Sequence, residues 1–175
     1  METYLNWSPK YVNAIKMVKS FEEIADIAIS VIETLSKPVV GVTLPITSGG
    51  YGLENNLKIA EKCVLKLHSV GFSVFNILPL EFGIRPLKAG WKKKNEGYCM
   101  PILEITYRKI FESMLLEIFF STLKYDPSSE PSFGAGWEDE TLFNLNIPVL
   151  DFPSGWYEEI LKDLGLTKHS EVILL

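Results

Sequence analysis

The sequence predicts an α/β domain with a mostly parallel sheet of four or five strands, preceded by a helical extension. Short runs of β-branched residues lack polar alternation, which is typical of strands that are buried on both faces. Apolar stripes at helical spacing lie between these runs. Each intervening helix leaves room for a crossover between parallel strands. Together these patterns favour a layered α/β architecture.

Length, charge and cysteine content narrow the class of protein. The chain has 175 residues, a length that favours one domain and allows two at most. Its 22 acidic and 17 basic residues give a net charge of -5, which argues against nucleic acid or an anionic membrane as the main partner. Cys63 and Cys99 are too few for a disulfide framework and suit a reducing cytosol. The N-terminus lacks a signal-peptide pattern, and no apolar run approaches the ~20 residues that cross a bilayer. We therefore expect a cytoplasmic protein without a membrane partner.

Residues 1–37 are expected to form a helical extension. Ser20 and Glu23 make a capping-box pattern at the start of a helix. Apolar residues at helical spacing follow as one stripe, namely Ile24, Ile27, Ala28, Val31, Ile32 and Leu35. Lys37-Pro38 ends this helix, because the residue before proline is pushed out of the α region. The stripe needs a partner, either the sheet or a second subunit.

Residues 38–175 are expected to form the α/β domain. Prolines and glycines mark residues 77–98 as a long irregular connection, and loops of that length are usually functional or mobile. The other expected elements are strand 39–44, helix 57–68, strand 72–76, helix 102–116, strand 118–123, helix 137–145, strand 147–150, a helix capped by Ser154 and ending at Leu164, and a last strand or hydrophobic tuck at 172–175. Ligands bind beyond the carboxyl ends of the strands in such sheets, so the loops after Leu44, Asn76 and Leu123 are the candidate sites.

The loop after the first strand has the composition of an anion-binding loop. It reads Pro45-Ile46-Thr47-Ser48-Gly49-Gly50-Tyr51-Gly52. Paired glycines permit positive φ and close backbone approach, and the loop leads into the free amide hydrogens of a helix N-terminus. Such a site suits phosphate. The loop is neither a Walker A loop nor Gly-x-Gly-x-x-Gly, and an ordinary glycine-rich turn has the same pattern.

The loop after the third strand contains a hydroxyl, two glycines and a carboxylate. Ser132 offers the hydroxyl, while Gly134 and Gly136 let successive amide hydrogens point into one concavity. Glu138 is expected in the first turn of the following helix, where the macrodipole favours its charged form and leaves it available as a nucleophile. The alternative is a plain acidic residue in a first helical turn.

These two loops together resemble the nucleoside 2-deoxyribosyltransferase superfamily. The segment Ser-x-Gly-x-Gly-aromatic-Glu that ends at Glu138 is the more specific part, and the Pro-Ile-Thr-Ser-Gly-Gly loop supports it. The pattern is most similar to the branch of 2'-deoxynucleoside 5'-phosphate N-hydrolases, and it covers roughly residues 38–150. The resemblance implies a flavodoxin-like three-layer sandwich. It also implies cleavage or transfer at the N-glycosidic bond of a deoxyribonucleoside or its 5'-monophosphate, through a covalent glutamyl-deoxyribose intermediate.

The resemblance also implies roles for individual residues. Glu138 resembles the nucleophile, and Ser132 with the amides of Gly134 to Gly136 resembles the 5'-phosphate cradle. Asn76 is expected at the border of the same cleft. The loop that closes over sugar and base is represented by Thr47, Ser48, Gly49, Gly50 and Tyr51.

Two departures from the family pattern favour an alternative function. Lys109 stands where the family has an aspartate that orients the sugar, with Glu104 and Glu112 about one turn to either side. Asp139 follows Glu138 where the family often has glycine, which would narrow or move the pocket. The alternative is therefore a nucleotide- or sugar-phosphate-binding module without catalysis, in which Lys109 forms a salt bridge with Glu138. A lysine-decarboxylase-like phosphoribohydrolase ranks third, because its Pro-Gly-Gly-x-Gly-Thr-x-x-Glu signature is missing.

The expected partners are a small-molecule nucleoside or nucleotide and, by analogy with the family, further copies of the chain in a homodimer or higher assembly. No cofactor is expected. No metal site is expected either, because His68 and His169 lack Cys or acidic neighbours at metal-ligand spacing. Within the 77–98 connection, Trp91 and Tyr98 are candidates for stacking on a base or for anchoring the loop.

Overall fold

The computed structural model describes residues 4–166. Four strands are present in this range, β1 (Val39–Thr43), β2 (Ser73–Val74), β3 (Ile118–Ser121) and β4 (Val149–Asp151). The α-helices are α1 (Pro9–Ile15), α2 (Phe21–Ile32), α3 (Leu53–Ser69), α4 (Glu81–Lys92), α5 (Arg108–Glu112), α6 (Phe133–Asn144) and α7 (Ser154–Asp163). Short 3-10 helices occupy Leu78–Leu80 and Leu123–Tyr125, and a π-helical segment, Ile102–Tyr107, leads into α5.

The four strands form one parallel sheet in the order β2-β1-β3-β4. Val40 of β1 lies opposite Val74 on one side and Ile118 on the other. With helices on both faces, this is the flavodoxin-like three-layer sandwich, so the predicted fold class is confirmed. The chain passes from β1 outward to β2 and then crosses back to β3, so its direction of progress reverses between β1 and β3.

Side-chain alternation along the strands divides the core into two halves. Val40 and Val42 of β1 pack toward α3 and α7 together with Phe120 of β3. Val39 and Phe119 face the opposite layer, which α1, α2, α4, α5 and α6 cover. Successive side chains of a strand point to opposite faces, and each face here is covered by helices, which explains the continuous apolar runs in the sequence.

The N-terminal helices belong to the second of these layers. Ile15 of α1 and Ile24 and Val31 of α2 are fully buried in the same cluster as Phe119. Trp7, just before α1, donates a hydrogen bond of 2.8 Å from Nε1 to the carbonyl of Asn76 beyond β2. The apolar stripe of α2 is therefore covered by its own chain: α1, α4, α5 and the Ile102–Tyr107 segment pack against it, in the same cluster as Val39 and Phe119 of the sheet.

The prediction of an irregular connection at residues 77–98 is wrong. The chain forms the Leu78–Leu80 3-10 helix and then α4, with Pro86 inside the helix. Glycine at position 83 allows α4 to approach the N-terminal segment closely. A Cβ at this position would lie 2.8 Å from Val18 Cγ2 and 3.1 Å from the carbonyl oxygen of Ile15. Tertiary contact with the N-terminal segment thus outweighs the low helix propensity of proline and glycine.

Several element boundaries also differ from the sequence prediction. The helix expected at 137–145 begins four residues earlier, because Ser132 caps it. Pro153, not Ser154, is the N-cap of α7, and Ser154 is its first residue. The helix expected at 102–116 starts with π-helical geometry and ends at Glu112, with Met114 in the left-handed region at φ 57°. The strand or tuck expected at 172–175 lies outside the described residues.

No helix in the range 4–166 has the length and apolarity needed to cross a bilayer.

Close packing at the centre of the sheet yields a stability prediction. Gly41 lies opposite Phe119, and a Cβ there would overlap the Phe119 ring, which is buried between sheet and helices. We expect Gly41→Ala to lower the free energy of unfolding by about 1–3 kcal/mol through overpacking. Gly90→Ala on α4, where a Cβ meets nothing within 4 Å, is the control and should raise it by about 0.4–1 kcal/mol. Urea unfolding measures both, and equal stability of the two variants would contradict the packing argument.

Candidate functional site

A cleft opens at the carboxyl ends of β1 and β3, where the strand order reverses. Its empty space is about 440 Å³ with the open mouth included, and the centre of a water molecule reaches only about 40 Å³ of it. Five of the predicted site residues line it, namely Thr47, Ser48, Ser132, Gly134 and Glu138. The cleft is therefore narrow, with room for about three ordered waters.

The other predicted site residues do not line this cleft. Gly49, Gly50, Tyr51 and Gly136 belong to the two adjoining loops and the first turn of α6. Asn76 is buried, and its Oδ1 accepts a hydrogen bond of 3.1 Å from the amide of Leu78 at the start of the 3-10 helix. These residues lie in segments next to the cleft and not on its wall.

Lys109 lies outside the cleft lining as well. Its Nζ is 2.6 Å from Oδ1 of Asp26 on α2, and the pair is exposed. Glu104, one of its expected substitutes, forms an ion pair with Arg108 and accepts a hydrogen bond of 3.2 Å from Trp137 Nε1. The salt bridge between Lys109 and Glu138 that the alternative function predicts is therefore not found among the described residues.

Asn56 on α3 fixes the loop that follows β1. Its side chain is buried and accepts a hydrogen bond of 2.8 Å from the amide of Tyr51. Its Nδ2 donates to the carbonyls of Ile46 and Gly49, at 3.1 and 3.2 Å. One amide side chain thus satisfies three backbone groups of a loop that has no regular structure of its own.

Asp126 joins this loop to the loop that follows β3. Its Oδ1 accepts hydrogen bonds from the amides of Gly50, at 2.7 Å, and Ser128, at 2.9 Å. Its Oδ2 accepts one of 3.2 Å from the amide of Ser132. Asp126 was not among the residues predicted from the sequence. The signal was present, because an aspartate two residues before a serine in a turn-rich segment often forms hydrogen bonds to the nearby backbone.

Ser132 caps α6 instead of leaving its hydroxyl and the following amides free. Its Oγ accepts a hydrogen bond of 3.3 Å from the amide of Ala135, and its carbonyl accepts one from Gly136. Ser48 Oγ lies 3.4 Å from Ser132 Oγ across the cleft. The expected cradle of amides from Gly134 to Gly136 is therefore smaller, because capping and the first helical bond use two of its three amides.

Glu138 lies in the second turn of α6 and is buried, with 9% of its surface exposed. Burial raises the pKa of its carboxyl well above the ordinary value, and the nearby charge of Asp139 raises it further. Among residues 4–166 no group donates a hydrogen bond to this carboxyl. The expectation that Glu138 lies in the first turn is wrong, so the helix dipole, which fades after that turn, gives its carboxyl little support, while burial acts against the charged form.

Asp139 points away from the cleft toward the sheet. Its Oδ2 accepts a hydrogen bond of 2.7 Å from Ser121 Oγ at the end of β3. Burial raises the pKa of the Asp139 carboxyl, and the Ser121 bond opposes that shift. Asp139 stands where the family pattern often has glycine, but its side chain links α6 to β3 and does not fill the cleft.

Two tyrosines from the 98–107 region complete the wall around Glu138. Burial raises the pKa of Tyr98 to about 12, with the charge of Glu138 as the second cause. The pKa of Tyr107 is raised well above its ordinary value by the same two causes in the same order. Hydrogen bonds in the π-helical segment join residues five apart, so Ile102 and Tyr107 both face the cleft.

The helix α4, which the sequence did not predict, supplies the remaining polar wall. Glu81 and Lys88 both line the cleft. Lys88 Nζ donates a hydrogen bond of 3.3 Å to Thr47 Oγ1 at the exposed mouth. Because residues 77–98 were expected to be irregular, no periodicity placed these two charged residues on one side of a helix.

Comparison of the chain with family models, with curated proteins and with solved structures gives no match. Within residues 4–166, no group of three or more His, Cys, Asp or Glu side chains is placed to hold a metal ion.

The bond network of Asp126 predicts how the loops respond to its loss. In Asp126→Asn an amide nitrogen takes the place of one of its two carboxylate oxygens, so at least one of the Gly50 and Ser132 amides loses its acceptor. We expect the free energy of unfolding to fall by about 1–3 kcal/mol. Hydrogen exchange of residues 46–52 should also become faster. The control is Asp163→Asn, which removes an exposed ion pair with Lys62 and should change stability by about 0–1 kcal/mol. Unchanged exchange in the loop would contradict the assigned role.

Because the carboxyl of Glu138 is buried, we expect its removal to raise the free energy of unfolding by an amount that depends on pH. A carboxyl whose pKa is higher in the folded state binds more protons there, so stability falls as pH rises from the unfolded pKa through the folded one. We expect Glu138→Gln to gain stability relative to wild type by about 1.4 kcal/mol per pH unit within that window. Chemical unfolding at a series of pH values from 4 upward measures the difference. A difference independent of pH would show that the carboxyl titrates normally.

Proposed function

We propose that the protein cleaves the N-glycosidic bond of a deoxyribonucleoside 5'-monophosphate, with Glu138 as the nucleophile. The observation that carries this proposal is a buried carboxyl with a raised pKa on the wall of a cleft at the point where the strand order reverses. Buried acids with perturbed pKa values in clefts are typical of functional sites. The resemblance of residues 132–138 to the family nucleophile segment supports the same assignment.

The chemistry follows that of a retaining glycosidase. A carboxylate oxygen of Glu138 attacks the anomeric carbon, the C–N bond breaks, and the base leaves with the bonding electrons and takes up a proton. Water then attacks the same carbon, the ester oxygen of Glu138 leaves, and free deoxyribose phosphate departs. Tyr98 and Tyr107 on the cleft wall stay protonated because of their raised pKa values, so each brings a hydroxyl donor for the substrate.

The remaining cleft residues suit an anionic substrate with a planar base. Ser48, Ser132 and Lys88 bring two hydroxyls and one ammonium to the cleft, and these groups bind phosphate oxygens. Phe133 lies outside the cleft lining, but its half-exposed ring is 5.0 Å from the ring of Tyr98 on the cleft wall, and the two rings offer a surface for base stacking. A nucleotide is larger than the space that water reaches in the present cleft, so substrate binding requires the cleft to widen.

A binding module without catalysis is the second candidate, and the raised pKa of Glu138 favours it. Burial disfavours the ionised form that attack requires, and a protonated carboxyl donates a hydrogen bond to a bound nucleotide or sugar phosphate instead. Lys109 does not support this candidate, since its side chain pairs with Asp26. Calorimetric binding of a nucleotide without release of its base would favour the module.

Release of free base tests the enzymatic proposal. Deoxynucleosides and their 5'-monophosphates, with each of the common bases, are incubated with the protein and the free base is separated and measured. We expect release from at least one monophosphate, with kcat/KM rising as pH increases through the raised pKa of Glu138, because attack needs the ionised carboxyl. Glu138→Gln should abolish release while the variant stays folded. No release from any substrate by wild-type protein would contradict the proposal.

Substitution of Ser132 tests the phosphate assignment. We expect Ser132→Ala to lower kcat/KM for a monophosphate by about tenfold or more and for the nucleoside much less, which corresponds to the loss of one hydrogen bond to a charged group. The variant also loses a helix N-cap, worth about 0.5–2 kcal/mol of stability. Ser20→Ala is the matched control, because Ser20 caps α2 by accepting from the amide of Glu23 and is remote from the cleft. Equal losses for both substrates would place the phosphate elsewhere.

A further inference from the structure

A second cavity lies beside α4, on a different side of this helix from the cleft. Ile84 and Lys88 line the cleft, whereas Phe82 and Arg85 line a groove between α3 and α4. Water reaches about 480 Å³ of this α3–α4 groove, against about 40 Å³ of the cleft. The groove is therefore the larger cavity, and no part of residues 4–166 fills it.

The floor of the α3–α4 groove is apolar. Leu57 of α3 lies opposite Leu78 and Phe82, and the ring of Phe82 is 37% exposed. Two cations of the rim are paired along their own helices, Lys58 with Glu54 and Arg85 with Glu81. Because these charges already have partners and the floor repels water, the groove suits an apolar occupant.

The chain beyond α7 heads toward this groove. The helices α7 and α3 are antiparallel, since Lys66 pairs with Glu159 and Lys62, one turn earlier on α3, pairs with Asp163. The next turn of α3 in the same direction contains Lys58, which lies on the groove rim. The C-terminal end of α7 therefore points to the part of α3 that forms the groove.

A Schellman turn holds the chain against α3 where α7 ends. The amide of Leu166 donates a hydrogen bond of 2.8 Å to the carbonyl of Leu161, and Gly165 has a φ of 68°. The side chain of Leu166 packs against the same apolar cluster as Leu57 of the groove floor. The described range ends at Leu166, so the residues that follow it start beside α3.

Nine residues follow Leu166 in the sequence, and the last four are consecutive apolar residues, Val172, Ile173, Leu174 and Leu175. An extended segment of five residues, such as 167–171, spans up to about 17 Å, which exceeds the diameter of a helix, about 10 Å. Residues 54–61 line the groove along about 10 Å of α3, and four extended residues span about 13 Å. The segment thus has the reach, the length and the polarity that the groove requires.

We propose that residues 172–175 dock in the α3–α4 groove of their own chain. The apolar side chains cover Leu57, Leu78 and Phe82, and the linker 167–171 crosses α3. A segment of the same chain has an effective concentration in the millimolar range, so a small apolar contact is enough to keep it bound. Glu81 lines both cavities, so the docked segment also holds the helix that forms one wall of the cleft.

The dye 8-anilinonaphthalene-1-sulfonate, which fluoresces on apolar surfaces, tests whether the groove is covered. The full chain is compared with a variant in which residues 172–175 are all replaced by serine. We expect the serine variant to bind about one more dye molecule per chain. Its Tm without dye should be lower by about 3–10 °C, because the apolar side chains no longer leave water on folding. Amides of residues 81–88 should exchange hydrogen faster in this variant.

A change in the groove shows whether segment and groove touch. Leu57→Asp in the serine variant should remove the extra dye molecule. The Tm loss for both changes together should be smaller than the sum of the separate losses, because both remove the same contact. Phe143→Ser is the matched control, since it removes a side chain that is 79% exposed on α6 and outside the groove. Its effect on Tm should add to that of the serine changes. If Leu57→Asp does not fold, Leu57→Ser takes its place.

Three results would overturn the inference, and none depends on the activity of Glu138. Additive Tm losses for the serine and Leu57 changes would show that the segment binds elsewhere or nowhere. Equal dye binding by the full chain and the serine variant, reduced in both by Leu57→Asp, would assign the groove to a small apolar molecule. A dimer in sedimentation that the serine changes convert to a monomer would assign it to the segment of a second copy. A failure to release base from nucleotides refutes the proposed function alone.

Discussion

The reversal of strand order between β1 and β3 is the constraint on which the rest of the site depends. Two parallel strands that end side by side, but whose connections leave in opposite directions, create a gap at their carboxyl ends. The loops from the two strands meet over this gap, and the carboxylate of Asp126 holds both by accepting from the amides of Gly50 and Ser132. The position of Ser132 then determines where α6 starts, and α6 carries Glu138.

Burial determines the chemistry of Glu138 more strongly than its position on a helix. At the N-terminus of a helix the backbone dipole is worth about 0.3–1 kcal/mol at an exposed site, and it fades beyond the first turn. Removal of a carboxyl from water costs several kcal/mol, so desolvation is the larger effect in the second turn of α6. The same burial raises the pKa values of Tyr98 and Tyr107 on the wall of this cleft.

The two central strands were predictable from the sequence because β1 and β3 are buried on both faces, and continuous apolar runs such as Val39–Thr43 are typical of such strands. The region of α4 was not predictable, because Pro86 and Gly83 oppose helix formation locally and are accepted only through packing on the N-terminal segment. The α4 wall of the cleft was missed for that reason, since Glu81 and Lys88 lie on this helix. The loop glycines and Ser132 were recognised by type, but the side chains that order them, Asn56 and Asp126, act through contacts that no short motif records.

The contact at Gly83 has a consequence for how the chain can be divided. Residues 15 and 18 approach α4 closely enough to exclude a side chain, and Trp7 bonds to the segment that enters the helix. A chain begun at residue 38 would lack the surface against which α4 rests and would expose the part of the core that α1 and α2 cover. The first helices are thus a structural component of the domain. A fragment that preserves the cleft must therefore include α1 and α2.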